Sequence, residues 1–310
     1  MAVNRIVGRR RVALSRTEAI LGYAYIGPWL VGFFVFTAGP LVASAYLSLT
    51  DYQVLVSPRF VGLANYARAL SGADDVFWPA VYHTLYFAAI FVPTSIAGSL
   101  AAALLLNVRI RGQAVFRTMF FIPSITPAVA AVFLWIWILS PNFGPLNNLL
   151  FAVGIVGPGW LGSPAWSKPG LILMSLWGAI GGSTMIIFLA GLQGVPTELY
   201  EASEIDGASA WQGFLNVTLP MLSPTVFFNL VVGLIGALRV FTTAFVATNG
   251  GPMNSTMFYM LLLFNDAFKY LYMGYASALA WLFVLLALVL VVAQVWIGTK
   301  WVYYEGEVQR

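Results

Sequence analysis

The chain has 310 residues, of which 60% are hydrophobic and only 8% are charged, and its formal net charge is +4. Soluble domains contain about 25% charged residues, so this composition excludes an ordinary soluble protein and indicates an integral membrane protein. The sequence contains no Cys, which excludes disulfides and thiolate metal sites.

Six apolar stretches are long enough to cross a membrane as helices, which requires about 20 residues. Prolines inside several of them predict kinks, because neighbouring helices can satisfy the backbone groups that a proline frees. Two further apolar runs, 149–160 and 257–264, are shorter or interrupted, and we interpret them as interfacial or re-entrant segments. The sequence therefore predicts an all-α polytopic membrane protein. Its predicted spans are 25–49, 84–106, 120–139, 171–192, 225–247 and 276–298.

Positive charge is distributed unequally between the two sets of connections. With the N-terminus inside, ten of the fifteen Lys and Arg residues fall on the inner side, four fall on the outer side and Arg239 lies within the fifth span. Short cytoplasmic loops accumulate Lys and Arg, so we expect both termini in the cytoplasm. The expected organisation is a basic cytoplasmic segment 1–22, a single transmembrane domain 23–300 and a cytoplasmic tail 301–310.

The N-terminal region has two features of its own. The first apolar span is too long for a cleaved signal peptide and has no clear A-x-A cleavage site, so we expect it to be a retained helix. The arginines at 9–11 are interpreted as a topological anchor touching anionic lipid, and no nucleic-acid surface is expected.

The most polar connection, 195–220, lies between the fourth and fifth predicted spans, on the inner side. It holds four of the chain's eleven acidic residues and no Lys or Arg. Thr197 followed by three glutamates predicts a helix over 198–205, because a Thr side chain can cap free amides and carboxylates favour the positive end of the helix dipole.

A turn and a second helix are expected to follow. Gly207 accepts the positive φ that ends a helix, and Ser209 is positioned to cap a second helix that runs until Leu219-Pro220. Physical reasoning alone leaves open whether this helix–turn–helix has a specific role or is an ordinary amphipathic loop at the membrane surface.

The sequence E-A-S-E-I-D-G-A at 201–208, with Leu219-Pro220 closing the segment, resembles the signature loop of binding-protein-dependent ABC importer permeases. The resemblance is to the sugar type, which includes maltose and glycerol-phosphate permeases. In that family the pattern is usually E-A-A-x-x-x-G with a hydrophobic-x-L-P ending, and Ser203 here replaces the third-position Ala.

The resemblance implies the type I ABC importer permease fold, with six transmembrane helices and a cytoplasmic coupling helix between helices 4 and 5. In the family this coupling helix docks in a cleft of a cytoplasmic ATPase subunit. On that analogy, the residues expected to couple to the ATPase are Glu198, Glu201, Ala202, Ser203, Glu204, Asp206 and Gly207.

Other short motifs extend the resemblance along most of the chain, and with the coupling loop their order and spacing identify the chain as a member of this family. They are F-V-G-L-A-N-Y at 60–66, F-R-T-M-F-F-I-P at 116–123, L-A-G-L-Q at 189–193, N-G-G-P at 249–252 and G-Y-A-S-A-L at 274–279.

The family implies a function and a set of partners. The chain is expected to form half of a translocation path in the cytoplasmic membrane of a prokaryote, for a di- or oligosaccharide or a related polyol delivered by an extracytoplasmic binding protein. The other expected partners are two ATPase subunits, the lipid bilayer and a second homologous permease, which implies a heterodimer, with a homodimer left open. ATP and Mg²⁺ are used by the partner ATPase, and this chain is expected to bind no cofactor.

Family analogy places the path near the middle of spans four and five. Most aromatic residues are interpreted as packing or as interfacial belts, including Trp135 and Trp137. The residues expected along the path are Trp177, Ser183, Thr184, Asn229, Arg239 and Thr242.

Two positions are open to more than one interpretation. Arg239 lies within a predicted span, where insertion scales assign an Arg a cost of roughly 2.5–3.5 kcal/mol, so its side chain must face protein or water. On a helix it shares a stripe with Gly236, Thr242 and Thr243. It is either a structural cation or a substrate or gating contact. His83, the chain's only histidine, is either a polar residue at the outer interface or a pH-sensing or ligand residue.

No catalytic constellation is present in the sequence. There is no Walker-type phosphate loop, and one His with no Cys provides neither a metal-spaced set nor a usual nucleophile–base pair. The chain is therefore expected to be a transport subunit and not an enzyme. An ion- or proton-coupled secondary transporter is the alternative, although such proteins commonly have inverted repeats and intramembrane carboxylates, and neither is found here. A membrane-embedded enzyme or scaffold is the third class.

Overall fold

A computed structural model describes residues 16–108 and 111–303, and these residues are mostly helical. The predicted basic segment before residue 16, Arg109 and the tail after residue 303 lie outside the described residues. Three short π-helical segments continue α-helices, at Phe34–Ala38, Phe214–Thr218 and Asn265–Lys269. The α-helices are α1 (Arg16–Phe33), α2 (Gly39–Leu47), α3 (Ala64–Leu70), α4 (Phe77–Asn107), α5 (Gln113–Ile125), α6 (Ala128–Ile138), α7 (Pro145–Ala152), α8 (Ser167–Ile180), α9 (Ser183–Gln193), α10 (Thr197–Ile205), α11 (Ala210–Gly213), α12 (Leu219–Met221), α13 (Ser223–Leu238), α14 (Thr242–Ala247), α15 (Tyr259–Phe264) and α16 (Met273–Gly298).

Four helical stretches are long and apolar enough to cross a membrane: Glu18–Leu47, Phe77–Asn107, Ser223–Ala247 and Met273–Gly298. Two helix pairs are long enough only when taken together, and both are bent: α5 and α6 meet at 97°, and α8 and α9 meet at 45°. The described residues thus provide four candidate spans, or six if each bent pair is one span.

The prediction of a single helix over 120–139 is wrong. The helix ends at Ile125, Thr126 has an extended backbone (φ −67°, ψ 131°) and α6 starts after Pro127. A residue that precedes proline is disfavoured in the helical region because the proline ring clashes with its backbone. The kink expected from the prolines is therefore a sharp corner between two helices.

The fifth predicted span is also interrupted. α13 ends at Leu238, and the chain leaves the helical conformation at Phe241 (φ −141°) before α14 begins. Arg239 caps the end of α13 and is exposed. The predicted helical stripe of Arg239 with Thr242 and Thr243 is wrong, because it assumed one uninterrupted helix.

The all-α expectation needs one correction, because a two-stranded antiparallel hairpin connects α2 to α3. Strand β1 (Thr50–Gln53) pairs with β2 (Val56–Phe60), with Thr50 opposite Phe60 and Asp51 opposite Arg59. Alternating β-branched and aromatic residues favour strands here, and opposite charges facing each other across strands add to the pairing.

The core surrounds α4, which packs against α8, α9 and α13. Phe87 from α4, Leu171 from α8, Phe188 from α9 and Leu238 from α13 are among its fully buried side chains. Close packing of such side chains provides the van der Waals contacts that hold helices together in a membrane. α4 is thus the element against which the broken helices are positioned.

One end of the bundle, which we call the loop end, contains the predicted coupling region. Leu104 and Asn107, near the C-terminus of α4, line a cavity together with residues of α10 and α11. The C-terminus of α16 reaches the same end, because the Tyr303 amide donates a hydrogen bond of 2.8 Å to the Ser223 hydroxyl.

The opposite end, which we call the cap end, is formed by the hairpin, α3 and the start of α16, which pack together. The Asn65 side-chain amide donates to the carbonyls of Ser48 (2.9 Å) and Thr50 (2.8 Å). The Tyr66 hydroxyl donates to the Ser48 hydroxyl at 2.8 Å. The Asn-Tyr pair of the 60–66 motif thus fastens the end of α2 to the hairpin.

Candidate functional site

The first candidate site is residues 197–221, which we call the acidic segment. α10 starts at Thr197, close to the predicted helix over 198–205, but its N-cap is Pro196 and no side chain caps it. The prediction that Thr197 caps this helix is therefore wrong by one position. Glu198 lies in the first turn, where a carboxylate favours the helix dipole.

The turn and the second helix agree with the sequence. Gly207 has φ +78°, a conformation that other residues adopt only at a cost. Ser209 forms a capping box, because its hydroxyl accepts from the Gln212 amide and the Gln212 side chain accepts from the Ser209 amide. The predicted end at Leu219-Pro220 is wrong, since helical structure continues through the π segment to Met221; proline is tolerated there in the first turn of α12.

The two arms of the acidic segment are fastened to each other. The hydroxyls of Tyr200 and Thr218 are 3.0 Å apart, and the Ser203 hydroxyl donates to the Tyr200 carbonyl at 2.8 Å. Ser203 is half-buried and faces Gly213 of α11. A small residue at position 203 therefore allows the two helices to approach.

The outer face of the acidic segment presents both charged and apolar side chains. Its four acidic residues are all exposed, and within 16–108 and 111–303 no salt bridge involves them. Two large apolar side chains are exposed beside them, Ile205 at 86% and Trp211 at 67%. Sequence reasoning missed these two, although apolar residues in the most polar loop were the available signal. The acidic residues are Glu198, Glu201, Glu204 and Asp206.

Of the other predicted coupling residues, Ala202 and Gly207 are also exposed, whereas Ser203 faces inward. Behind the segment, a cavity of about 430 Å³ separates it from the ends of α4 and α9. The seven predicted residues therefore share one short hairpin, with six on its surface and one between its arms.

The second candidate site is a cavity of about 240 Å³ at the corner between α5 and α6, which we call the tryptophan cavity. α8 and the start of α14 complete its walls. The lining side chains that carry polar atoms are Ser124, Thr126, Trp135, Ser175, Trp177 and Thr243, and the remaining lining residues are apolar or glycine.

The corner is possible because α5 and α8 lie in direct contact. A Cβ at Gly181 would be 1.7 Å from the Phe120 carbonyl oxygen, a separation that no side chain allows. Glycine at this position lets α8 approach α5 and brings Trp177 opposite Trp135. Their rings meet edge to face, with centroids 6.2 Å apart and planes at 71°.

Hydrogen bonding leaves one shielded donor of the described cavity lining without a partner. Trp135 Nε1 is shielded and has no hydrogen-bond partner among the described residues. The hydroxyls of Ser124, Thr126 and Ser175 donate to carbonyls of their own helices, at 2.7, 3.2 and 2.8 Å. Their lone pairs remain as acceptors, since a hydroxyl carries one donor and two acceptor sites.

The predicted path residues are not all brought together. Trp177 lines the tryptophan cavity, whereas Ser183 and Thr184 start α9 beyond the bend. Asn229 is buried, and its side-chain amide donates to the Thr225 carbonyl at 2.8 Å. On α14, the cavity is lined by Thr243 and not by the predicted Thr242.

From the sequence, Trp135 is interpreted as a packing or interfacial-belt residue, and the structure places it in the cavity wall, packed edge to face against Trp177. Trp137, two residues away on α6, is exposed at 56% and does not line the cavity. The cavity residues come from distant parts of the chain, and no spacing rule connects them.

His83 lies at the cap end of α4 and is half-buried. Its ring meets that of Tyr82 edge to face, with centroids 5.6 Å apart, and its Nδ1 is shielded without a hydrogen-bond partner among the described residues. It lies outside both candidate sites. No group of three or more metal-ligating side chains occurs in the described parts of the chain.

Comparison with known families identifies one match. The model of the family described as "Binding-protein-dependent transport system inner membrane component" matches residues 94–302. These residues include the acidic segment and the whole tryptophan cavity.

Two relatives align over almost the whole chain. A probable ABC transporter permease protein of Bacillus subtilis, YesP, is 38% identical over 94% of this chain and 94% of its own length. The lactose transport system permease protein LacF of Rhizobium radiobacter is 35% identical over 90% of this chain and 94% of its own length.

A solved structure has the same fold. It is a chain of a bacterial alginate ABC transporter in complex with an alginate pentasaccharide-bound periplasmic protein. The TM-score is 0.77, with 22% sequence identity over 90% of this chain and 93% of that one.

Proposed function

The chain belongs to the family of inner membrane components of binding-protein-dependent transport systems, and from that membership we propose that it forms one half of the translocation path of a carbohydrate importer. The importer is proposed to contain a second permease, two ATPase subunits and an extracytoplasmic binding protein. The related lactose permease supports the carbohydrate assignment. ATP hydrolysis belongs to the partner chains, and this chain is not an enzyme.

The observation that carries this proposal is the face of the acidic segment. Four exposed carboxylates without a cation among the described residues, together with exposed Ile205 and Trp211, form a surface suited to a protein partner. Interfaces combine a charged rim with aromatic anchors. The partner's cleft is therefore proposed to be basic at its rim and apolar inside.

The connectivity explains how docking on this segment reaches the path. α10 follows α9 after residues 194–196, and α9 joins α8 across the 45° bend. α8 carries Trp177 into the tryptophan cavity. A displacement of the acidic segment thus passes to the cavity wall through one broken helix pair.

The transport cycle is proposed to alternate between two states. The loaded binding protein and ATP favour the outward-facing state, and hydrolysis restores the inward-facing one, because each ligand shifts the equilibrium only by its differential affinity for the two states. The acidic segment, with the loop end, is proposed to face the cytoplasm, in agreement with the expected orientation of both termini.

Reconstitution of the complex that co-purifies with this chain tests the proposal. Proteoliposomes that contain ATP on the ATPase side should accumulate a labelled neutral disaccharide only when the binding protein is supplied on the other side. Omission of ATP, and a hydrolysis-deficient ATPase partner, are the matched controls. Uptake by the isolated chain without ATP, or driven by an ion gradient, would instead support the secondary-transporter alternative.

A further inference from the structure

We propose that α16 is a strut that links the cap end to the acidic segment, with Ser223 as the positioning residue at the junction between them. The inference rests on the proposed function, because it assigns the route by which the loaded binding protein outside the cell stimulates ATP hydrolysis on the inner side. It adds a second connection to the one that runs from the acidic segment through α9 and α8 to the tryptophan cavity.

Ser223 lies at the start of α13, just after the acidic segment, and is 4% exposed. Its hydroxyl donates to the Pro220 carbonyl at 2.7 Å and accepts from the Tyr303 amide at 2.8 Å. Tyr303 is 80 residues away in sequence, so the geometry of α13 alone does not produce the second bond. One side chain therefore joins the end of the acidic segment to the chain that follows α16.

Packing fixes the end of α16 at the same place. Gly298 is the last residue of α16, and a Cβ there would collide with the ring of Phe227, in the second turn of α13. The Trp301 ring meets the Phe227 ring edge to face, with centroids 6.3 Å apart. Tyr303 lines a cavity of about 240 Å³ whose other walls all belong to the acidic segment. The end of α16 is thus in contact with both α13 and the acidic segment.

The other end of α16 is fastened in a similar way. Gly274, in the first turn, lies so close to the Thr50 carbonyl oxygen that a Cβ would collide with it, so α16 packs directly on β1. The Tyr275 hydroxyl donates to the Asp74 carboxylate at 2.6 Å. The Arg68 guanidinium lies 4.1 Å from the centre of the Tyr275 ring. These contacts attach the start of α16 to the hairpin, to α3 and to the residues before α4.

Between its two attachments, α16 is an unbroken helix. Its 26 residues span about 39 Å at 1.5 Å per residue. They include no proline, and the two glycines lie in the first and last turns. Sharp helix kinks arise at prolines, Gly/Ser pairs and π-bulges, and each of the other candidate spans of the described chain contains a proline. A displacement of one end of α16 is therefore expected to move the other end.

This geometry gives two distant partners one common element. The cap end contains the hairpin and the start of α16, and the ATPase is proposed to dock on the acidic segment at the loop end. Two such sites are coupled when both partners bias the position of one rigid element. Ser223 is buried and lies outside the proposed docking face, so it acts through the acidic segment as a positioning residue.

Stimulation of ATP hydrolysis by the loaded binding protein tests the strut in the complex reconstituted in nanodiscs. The probe is the binding protein saturated with the disaccharide that supports ATP-dependent uptake. Ser223→Ala removes the acceptor of the Tyr303 amide and should lower the stimulation about 2- to 10-fold, the effect of one hydrogen bond, with an unchanged basal rate. Ser223→Thr keeps the hydroxyl and should retain most of the stimulation.

A double variant distinguishes a strut from two local defects. Tyr275→Phe removes the hydrogen bond at the cap end and should lower the stimulation by a similar factor. The effects of independent, distant sites add as free energies, so they would multiply as factors. On a shared strut, Ser223→Ala with Tyr275→Phe should instead resemble the stronger single variant. Thr299→Ala is the control, because this exposed hydroxyl bonds only to the Trp296 carbonyl of its own helix, at 2.8 Å; the stimulation should not change.

Three results overturn the inference: full stimulation in Ser223→Ala, an equal loss in Thr299→Ala, or multiplied losses in the double variant. Tyr275→Phe removes a single oxygen atom, so full stimulation in that variant overturns the strut even if Ser223→Ala does not assemble. Failure of the proposed function is separate, because it appears as loss of ATP-dependent uptake in the wild-type complex. A wild-type complex that transports, with variants that keep full stimulation, refutes the strut alone.

Discussion

The acidic segment and the tryptophan cavity lie in the same helical bundle but differ in charge and in how the chain forms them. The acidic segment is continuous in sequence, carries four exposed carboxylates and presents Ile205 and Trp211 to its surroundings. The tryptophan cavity is assembled from four helices and has no charged residue among its described lining.

The difference indicates two kinds of partner. A charged, protruding surface suits another protein, whereas a small cavity with no charged residue in its described lining suits an uncharged cargo. If each region serves its own partner, substitutions in the acidic segment should change coupling and leave sugar contact intact. Substitutions around the cavity should do the reverse, and the following variants test this separation.

The largest effect is expected from Glu201→Lys. Like-charge contacts at an interface cost several kcal/mol, so ATP-dependent uptake should fall at least about tenfold. The control is Asp75→Lys, an exposed acidic residue before α4 at the cap end, which should retain coupling to the ATPase. Unchanged uptake in proteoliposomes with Glu201→Lys would show that the segment serves another purpose.

Gly181→Ala should affect the cavity. The added methyl group meets the Phe120 carbonyl oxygen, and overpacking of this kind costs about 1–3 kcal/mol. α8 must move away from α5, so thermal stability and the rate of ATP-dependent uptake should both fall. Gly236→Ala is the control, because nothing lies within 4 Å of its added Cβ. Equal stability and equal uptake rates of the two variants would refute the role of this contact in shaping the cavity.

A smaller effect on coupling is expected at Gly207. A branched residue at φ +78° costs about 1–2 kcal/mol, so Gly207→Val should distort the turn and reduce uptake several-fold. Asn adopts this conformation more easily, and Gly207→Asn should retain most uptake. The comparison is read from initial uptake rates at equal protein levels. Equal rates for Val and Asn would mean that the turn does not control docking.

Asp266, at the cap end, provides a reference that should affect neither site. Burial, reinforced by the Asp74 carboxylate and opposed by the Arg68 guanidinium, raises the pKa of Asp266 from 3.8 to about 6. The folded protein then holds this proton more tightly than the unfolded chain, so the contribution to stability is complete below about pH 4 and is lost as pH rises through about 6.

Asp266→Asn should therefore raise the melting temperature at pH 7.5 by roughly 2–4 °C, the shift expected for about 1 kcal/mol. It should also flatten the dependence of stability on pH between the two pKa values. Thermal unfolding at pH 4.5 and pH 7.5 measures both. A melting temperature that is lower than wild type at pH 7.5 would show that the carboxylate is stabilised in its charged form.

The acidic segment was largely predictable from sequence because its signals are local. Glutamates after Thr197, the glycine at 207 and the Ser209–Gln212 pair each specify the backbone within a few residues. The errors there are also local, a cap displaced by one residue and a helix that continues past Pro220. The exposure of Ile205 and Trp211 depends on which residues the hairpin covers, and periodicity does not specify this.

The tryptophan cavity was not predictable in the same way. Thr126-Pro127 indicates a break, but the 97° angle depends on how α5 and α6 pack. The break at 239–241 has no sequence signal, since Arg-Val-Phe contains neither glycine nor proline. Trp135 and Trp177 are neighbours only because of the corner and the close contact at Gly181. Tertiary packing, which a single sequence does not display, determines this site.

The central claim is that the acidic segment docks on an ATPase subunit, and a single-cysteine cross-link tests it most directly. The chain contains no Cys, so Ala202→Cys, which is exposed on α10, introduces one unique thiol. A maleimide photo-cross-linker on this thiol, activated in native membranes, should join the chain to the ATPase subunit, as identified by mass spectrometry of the product. Ala73→Cys, exposed at the cap end, should give no such product. A cross-link to the ATPase from Ala73→Cys and none from Ala202→Cys would contradict the account.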